Sequence, residues 1–140
     1  MDTKLKADIA ESAVTTELLK RGCRVLRPVG DRMPYDLCVD IGSRLVRLQI
    51  KSAWYRKGVY IVDSRRTKTN RRRMIRRPYD VSDFDFAVIY LDKPHVFYVL
   101  PVRIFCSYKS EITLSDRVTS QRAPGSAAYR EAWHLIGKSN

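Results

Sequence analysis

Pro34-Tyr35-Asp36-Leu37-Cys38-Val39-Asp40-Ile41, then Gly42-Ser43, then Arg44-Leu45-Val46-Arg47-Leu48-Gln49-Ile50-Lys51 reads as two alternating apolar runs around a short link. Gly-Ser between such runs predicts a β-hairpin with a type II′ turn. A two-residue turn fixes the register: Ile41 faces Arg44, Val39 faces Val46, Leu37 faces Leu48, and Asp36 faces Gln49. The apolar pairs share one face, so register and burial agree. Lys51 lies two residues beyond Gln49, on the face of Gln49 and Asp36. Opposed side chains stand roughly 5 Å apart at Cβ and diagonal ones roughly 7–8 Å. A carboxylate, an amide and a lysine are thus expected side by side, an arrangement that can hold a metal ion and a water against a phosphodiester.

Outward from the hairpin, Ala7, Ala10, Val14 and Leu18 recur at helical spacing, widened by Ile9 and Ala13. This predicts a helix over residues 3–21, capped by Asp2 or Thr3 and stopped at Gly22. Glu11 flanks that stripe and is expected to be drawn toward the sheet, so that the polar hairpin face meets a helix carrying an acid. Short strands are expected at Arg24–Arg27 and Val59–Val62, and longer ones at Phe84–Leu91 and His95–Leu100. Pro101 suits the first turn of a short helix ending near Tyr108, and residues 127–136 suggest a last helix. Trp54 and Tyr55 are read as core. The simplest packing is an α/β (α+β) fold with one mixed sheet flanked by helices. One domain is expected over residues 1–140, with 110–140 as the candidate oligomer interface.

The chain has 140 residues, 44% of them hydrophobic, and a formal net charge of +12. It is long enough for a real core, and its charge points to a polyanionic partner. No apolar run is long enough for a transmembrane helix, and the first residues lack a secretory pattern. A cytoplasmic protein without a membrane partner is expected. Cys23, Cys38 and Cys106 have no CxxC spacing and read as reduced structural residues; with only two histidines, a zinc site is not expected.

The stretch Ser64–Tyr79, SRRTKTNRRRMIRRPY, carries eight Lys or Arg residues and no acid. It lacks clear periodicity, and residues 63–83 read as a basic DNA-binding insertion. Clustered like charges repel without a partner. Arg65, Arg66, Lys68, Asn70, Arg71, Arg72, Arg73, Arg76 and Arg77 are therefore candidate contacts to a polyanion, DNA among them, with Thr67 and Thr69 able to add hydrogen bonds. Phosphate binding is the sequence-neutral part of that role, and arginine readout of guanine the specific part.

Glu11, Pro34-Tyr35-Asp36 and Gln49-Ile50-Lys51, in this order and on these elements, resemble the PD-(D/E)xK nuclease superfamily. The Lys51-Ser52-Ala53 continuation looks like the small single-domain members, among which the homing endonucleases of that type encoded in group I introns are the nearest likeness. Archaeal Holliday-junction resolvases are a looser likeness. The resemblance implies a restriction-endonuclease-like core and a catalytic set of Glu11, Asp36, Gln49 and Lys51. It implies a divalent metal, Mg²⁺ or Mn²⁺ in its place, held by Asp36 with Gln49, the Ile50 carbonyl and Glu11. Lys51 would orient or activate the attacking water. Position 49 departs from the pattern, which usually has Asp or Glu there; an amide oxygen can ligate a hard cation but brings no charge.

These readings lead to a metal-dependent, site-specific double-strand DNA endonuclease acting as a homo-oligomer, dimer or tetramer. The competing readings are a junction-selective nuclease and a non-catalytic nucleic-acid-binding module on the same fold.

Overall fold

The computed structural model describes residues 2–69, 73–116 and 125–137. It opens with helix α1 (Thr3–Lys20), whose first turn is capped by the Asp2 carboxylate accepting from the Lys4 N–H at 2.9 Å. Gly22, at φ +80°, turns the chain out of the helix. Strands β1 (Arg24–Leu26), β2 (Leu37–Asp40) and β3 (Leu45–Ser52) follow, then β4 (Trp54–Arg56), β5 (Val59–Asp63), β6 (Arg65–Thr69) and β7 (Met74–Pro78). The chain continues through β8 (Phe86–Leu91), β9 (Val96–Pro101), the single helical turn α2 (Val102–Phe105) and β10 (Glu111–Leu114). It ends in 3₁₀ turns at Gly125–Tyr129 and Trp133–Leu135.

The central sheet runs β1-β2-β3-β8-β9. It is mixed, as expected: β3 and β8 are parallel, and the other neighbours are antiparallel. The hairpin register is the expected one, with Leu37 opposite Leu48 and Val39 opposite Val46. Gly42 takes φ +92°, and the Ile41 N–H closes the turn on the Arg44 carbonyl at 3.1 Å.

Each face of the sheet carries its own core. On one, the α1 stripe of Ala10, Val14 and Leu18 packs on Leu37, Val39, Val46, Leu48 and Ile50. On the other, Ala87, Ile89, Tyr98 and Leu100 pack with Phe84, Phe105, Val62, Ile112 and Leu114. Burial on both sides explains why β8 and β9 are apolar at nearly every position.

Three expectations change. Residues 127–136 do not form one helix: the Glu131 N–H donates to the Phe97 carbonyl at 2.7 Å, Glu131 takes φ +52°, and Arg130 bridges to Tyr98. Pairing with β9 outweighs local helix propensity, and Ala132, Trp133 and Ile136 join the α1 core. The basic segment is not aperiodic, because β6 and β7 pair as a hairpin from Arg65 opposite Pro78 to Thr69 opposite Met74. Tyr55 is not core; it lies 56% exposed on β4, a strand the sequence reading lacks, and packs edge-on against Tyr60.

The terminal segment is tied back to the sheet through Asp116. Burial opposes ionisation of this carboxyl, but hydrogen bonds from Arg130 (2.7 Å) and Tyr98 (2.6 Å) outweigh it and hold its pKa below the ordinary value. A depressed folded-state pKa contributes stability that is present above the unfolded value and lost as pH falls through the folded one. Asp116→Asn is therefore expected to lower the urea midpoint near neutral pH, with the difference from wild type shrinking by about pH 3. An equal deficit at both pH values would show that the contribution is not ionic.

Candidate active site

The site forms where β2 separates from β3. At Asp36 the ladder slips: its N–H donates to the Leu48 carbonyl at 2.8 Å rather than continuing the pairing. β2 no longer supplies a partner for the next N–H of β3, and the Asp36 side chain takes over. Its Oδ2 accepts from the Ile50 N–H at 2.8 Å and from Gln49 Nε2 at 2.9 Å. The same Gln49 nitrogen donates to the Ile50 carbonyl at 3.2 Å. Asp36, Gln49 and Ile50 thus meet where β2 begins, through side-chain hydrogen bonds that take over from the ladder.

Lys51 shares the face of Gln49, but its ammonium donates to the Arg65 carbonyl at 2.9 Å and stands 5.0 Å from the centre of the Tyr79 ring. Burial lowers its pKa to about 8, against the opposing pull of the Asp63 and Asp36 carboxylates. Burial also pushes the Asp36 carboxyl above its ordinary value; the Ile50 N–H pulls it back, Glu11 adds to the rise, and Lys51 opposes it.

The expectation that this polar face meets α1 is corrected. The stripe of α1 covers the Leu37, Val39, Val46 and Leu48 face, and strand parity puts Gln49 and Lys51 on the opposite one. The polar face meets the base of the β6–β7 hairpin instead. Glu11 still reaches the site, by another path. It pairs with Arg27 at 3.1 Å and lines a groove of about 310 Å³ together with Asp36. Asp36 also lines a second groove of about 660 Å³ with Gln49, Arg66 and Tyr79. Lying at the sheet edge, it belongs to both, with Glu11 on one side and Gln49 on the other.

The basic residues divide by their partners. Arg65 is bound to Asp63 at 3.0 and 3.2 Å, and Arg76 approaches the same carboxylate at 3.5 Å. Arg66 lines the larger groove and donates to the Arg32 carbonyl at 3.5 Å. Thr67, Arg73 and Arg77 are exposed, and the backbone sets Lys68 opposite Ile75. Asn70, Arg71 and Arg72 lie outside the described residues. The sequence reading missed Tyr79 as a neighbour of Lys51, because the hairpin that brings it there has no apolar alternation to reveal it.

The donor set around Asp36 is all oxygen apart from the Gln49 nitrogen: two carboxylates, a main-chain carbonyl and a side-chain amide. Hard cations such as Mg²⁺ take oxygen ligands of this kind and keep several waters. The residues fit such an ion if Gln49 turns its amide to present Oε1. Among the described residues, no group of three or more His, Cys, Asp and Glu side chains is placed to hold a metal. No helix among them is long and apolar enough to cross a membrane.

Asp36 at the start of β2, Lys51 across the hairpin and Glu11 of α1 thus lie around one end of the hairpin. The family model described as PD-(D/E)XK endonuclease matches residues 1–136, and the chain belongs to that family. It is also similar to the solved structure of a bacterial homing endonuclease, I-Ssp6803I, with 51% identity and a TM-score of 0.88, over 98% of this chain and 94% of that one. No curated protein matches. The match confirms the mixed-sheet endonuclease fold.

Proposed function

We propose that this endonuclease cuts double-stranded DNA at a specific site in a divalent-metal-dependent reaction, as a homing enzyme encoded in a group I intron. The observation that carries the proposal is the Asp36 site, where a half-buried carboxylate faces Gln49 and Ile50 with Glu11 close enough to raise its pKa. A carboxyl whose ionisation is opposed by burial and by a neighbouring acid is an electrostatic state that a cation relieves. The Gln49 NH₂, shared between Asp36 Oδ2 and the Ile50 carbonyl, gives those oxygens a positive partner in the meantime.

Asp36, Glu11, the Ile50 carbonyl and Gln49 would hold the ion, with Mg²⁺ the first choice and Mn²⁺ a substitute. A bound Mg²⁺ supplies positive charge to polarise the scissile phosphate and to offset charge on the leaving 3′ oxygen. Lys51 orients the attacking water and balances charge at the phosphate. With a pKa near 8, it also has a neutral fraction able to take the water's proton. The product carries a 5′ phosphate. A chain of this size has limited reach along DNA, so a symmetric dimer or tetramer would read the site, with residues 110–140 contributing to the interface.

Gln49→Glu adds a carboxylate to the proposed donor set. It is expected to lower the Mg²⁺ concentration that supports half-maximal cleavage while leaving cleavage intact. Superimposable metal titrations for the two proteins would remove Gln49 from the set of ligands.

The basic hairpin would grip the DNA backbone beside this face. Replacing Arg71, Arg72 and Arg73 together with Ala is expected to weaken binding. It should also reduce the slope of log affinity against log salt by about 2–3, since each neutralised phosphate contributes about 0.9. An unchanged slope would rule these residues out as phosphate contacts.

A further inference from the structure

Lys51 has four rotatable bonds, so its position must be imposed from outside. Two groups impose it. The Arg65 carbonyl accepts a hydrogen bond from the ammonium at 2.9 Å, and the Tyr79 ring lies 5.0 Å from the nitrogen. Both come from the base of the β6–β7 hairpin, where Arg65 pairs with Pro78, the residue before Tyr79. Each is itself held. The Arg65 N–H donates to Asp63 Oδ1 at 2.9 Å, and the side chain of Arg65 grips the same carboxylate. The Tyr79 ring packs edge-on against Phe84 at 5.2 Å and Phe105 at 6.0 Å, only 9% exposed.

An ammonium over an aromatic face is attracted by the ring's negative quadrupole, and more strongly when water is excluded. We propose that Tyr79 is a positioning residue for cleavage, its ring and the Arg65 carbonyl forming a seat that fixes the Lys51 ammonium beside Asp36. This rests on the role given to Lys51 under the proposed function. It adds that the base of the basic hairpin is part of the catalytic apparatus. The ring, and not the hydroxyl, does this work.

The test uses the full-length protein with Tyr79→Leu, Tyr79→Phe, Tyr79→Met and Lys51→Ala. Three properties are read: single-turnover cleavage with Mg²⁺, DNA affinity with Ca²⁺ in its place, and the Lys51 ε-methylene resonances of isotope-labelled protein without DNA. Lys51→Arg assigns those resonances. Tyr79→Leu is expected to slow cleavage about tenfold with affinity held within about twofold, and to move the Lys51 resonances out of the upfield position that a ring face imposes. Tyr79→Phe should stay within about threefold of wild type and keep the upfield position. Tyr79→Met takes the place of Tyr79→Leu if thermal melting shows that the leucine variant does not fold.

Wild-type cleavage and unmoved Lys51 resonances in the variants lacking the ring would overturn the seat. So would a loss in Tyr79→Phe equal to that in Tyr79→Leu, which would assign the effect to the hydroxyl. Wild-type cleavage by Lys51→Ala would overturn the role of Lys51 itself, and the seat's function with it; the resonances separately report whether the seat exists.

Discussion

Asp36→Asn is expected to reduce cleavage about a thousandfold while DNA binding and fold persist. The asparagine carbonyl oxygen can still accept from the Ile50 N–H, so the β3 edge keeps a partner where Asp36 Oδ2 now accepts at 2.8 Å. What disappears is the negative charge, the property a cation needs. Asp36→Ala is the less informative change. It also strands the Ile50 N–H, at a cost of about 1–3 kcal/mol, and so mixes stability with chemistry. The variant is read by single-turnover cleavage alongside binding in Ca²⁺. Retention of more than about a tenth of wild-type rate would remove Asp36 from the centre of the mechanism.

The largest expected effect on stability lies far from the site. Trp133→Ala should cost about 3–5 kcal/mol in urea unfolding, a large share of the roughly 5–15 kcal/mol that holds a domain together. Trp133 is buried in the α1 core, its ring 5.2 Å from that of Phe97. The Arg21 guanidinium lies 5.1 Å over the ring, and the indole N–H donates to Glu131 at 3.2 Å. The substitution removes an anchor between α1 and the sheet face that supports the Asp36 edge. A cost below about 1 kcal/mol would mean that the terminal segment does not pack there.

The hairpin that decides the fold was legible because three independent signals coincide in it. Gly42 at the turn, the Leu37/Leu48 and Val39/Val46 pairs, and the alternation of polar residues all specify one register, and that register is found. Asp36 against Gln49 followed from it by counting. The same counting assigns α1 to the other face: its stripe needs apolar partners, and Leu37, Val39, Val46 and Leu48 are the ones β2 and β3 offer. The polar face is therefore left to another element, the base of the β6–β7 hairpin.

The β6–β7 hairpin was not legible because its strands are mostly charged and carry no apolar alternation. Pairing there comes from main-chain hydrogen bonds and from Asp63, which gathers Arg65 and Arg76. Hydrophobic periodicity carries no trace of such an element. The terminal turns were misread for the opposite reason. Residues 127–136 have helical spacing, but tertiary bonds from Glu131 and Arg130 to β9 bend them into two short turns. Glu11 lines one groove with Asp36 rather than facing Gln49 and Lys51 across the polar face of the sheet.

The most direct measurement is cleavage of duplex DNA containing the suspected insertion sequence, with Mg²⁺ and with chelator. Wild type, Asp36→Asn and Lys51→Ala are run in parallel, with DNA binding confirmed for each. Mg²⁺-dependent cutting at one position by wild type alone is the expected result. Cutting that persists in chelator, or in both variants, or tight binding by wild type without cutting under any divalent metal, would contradict it.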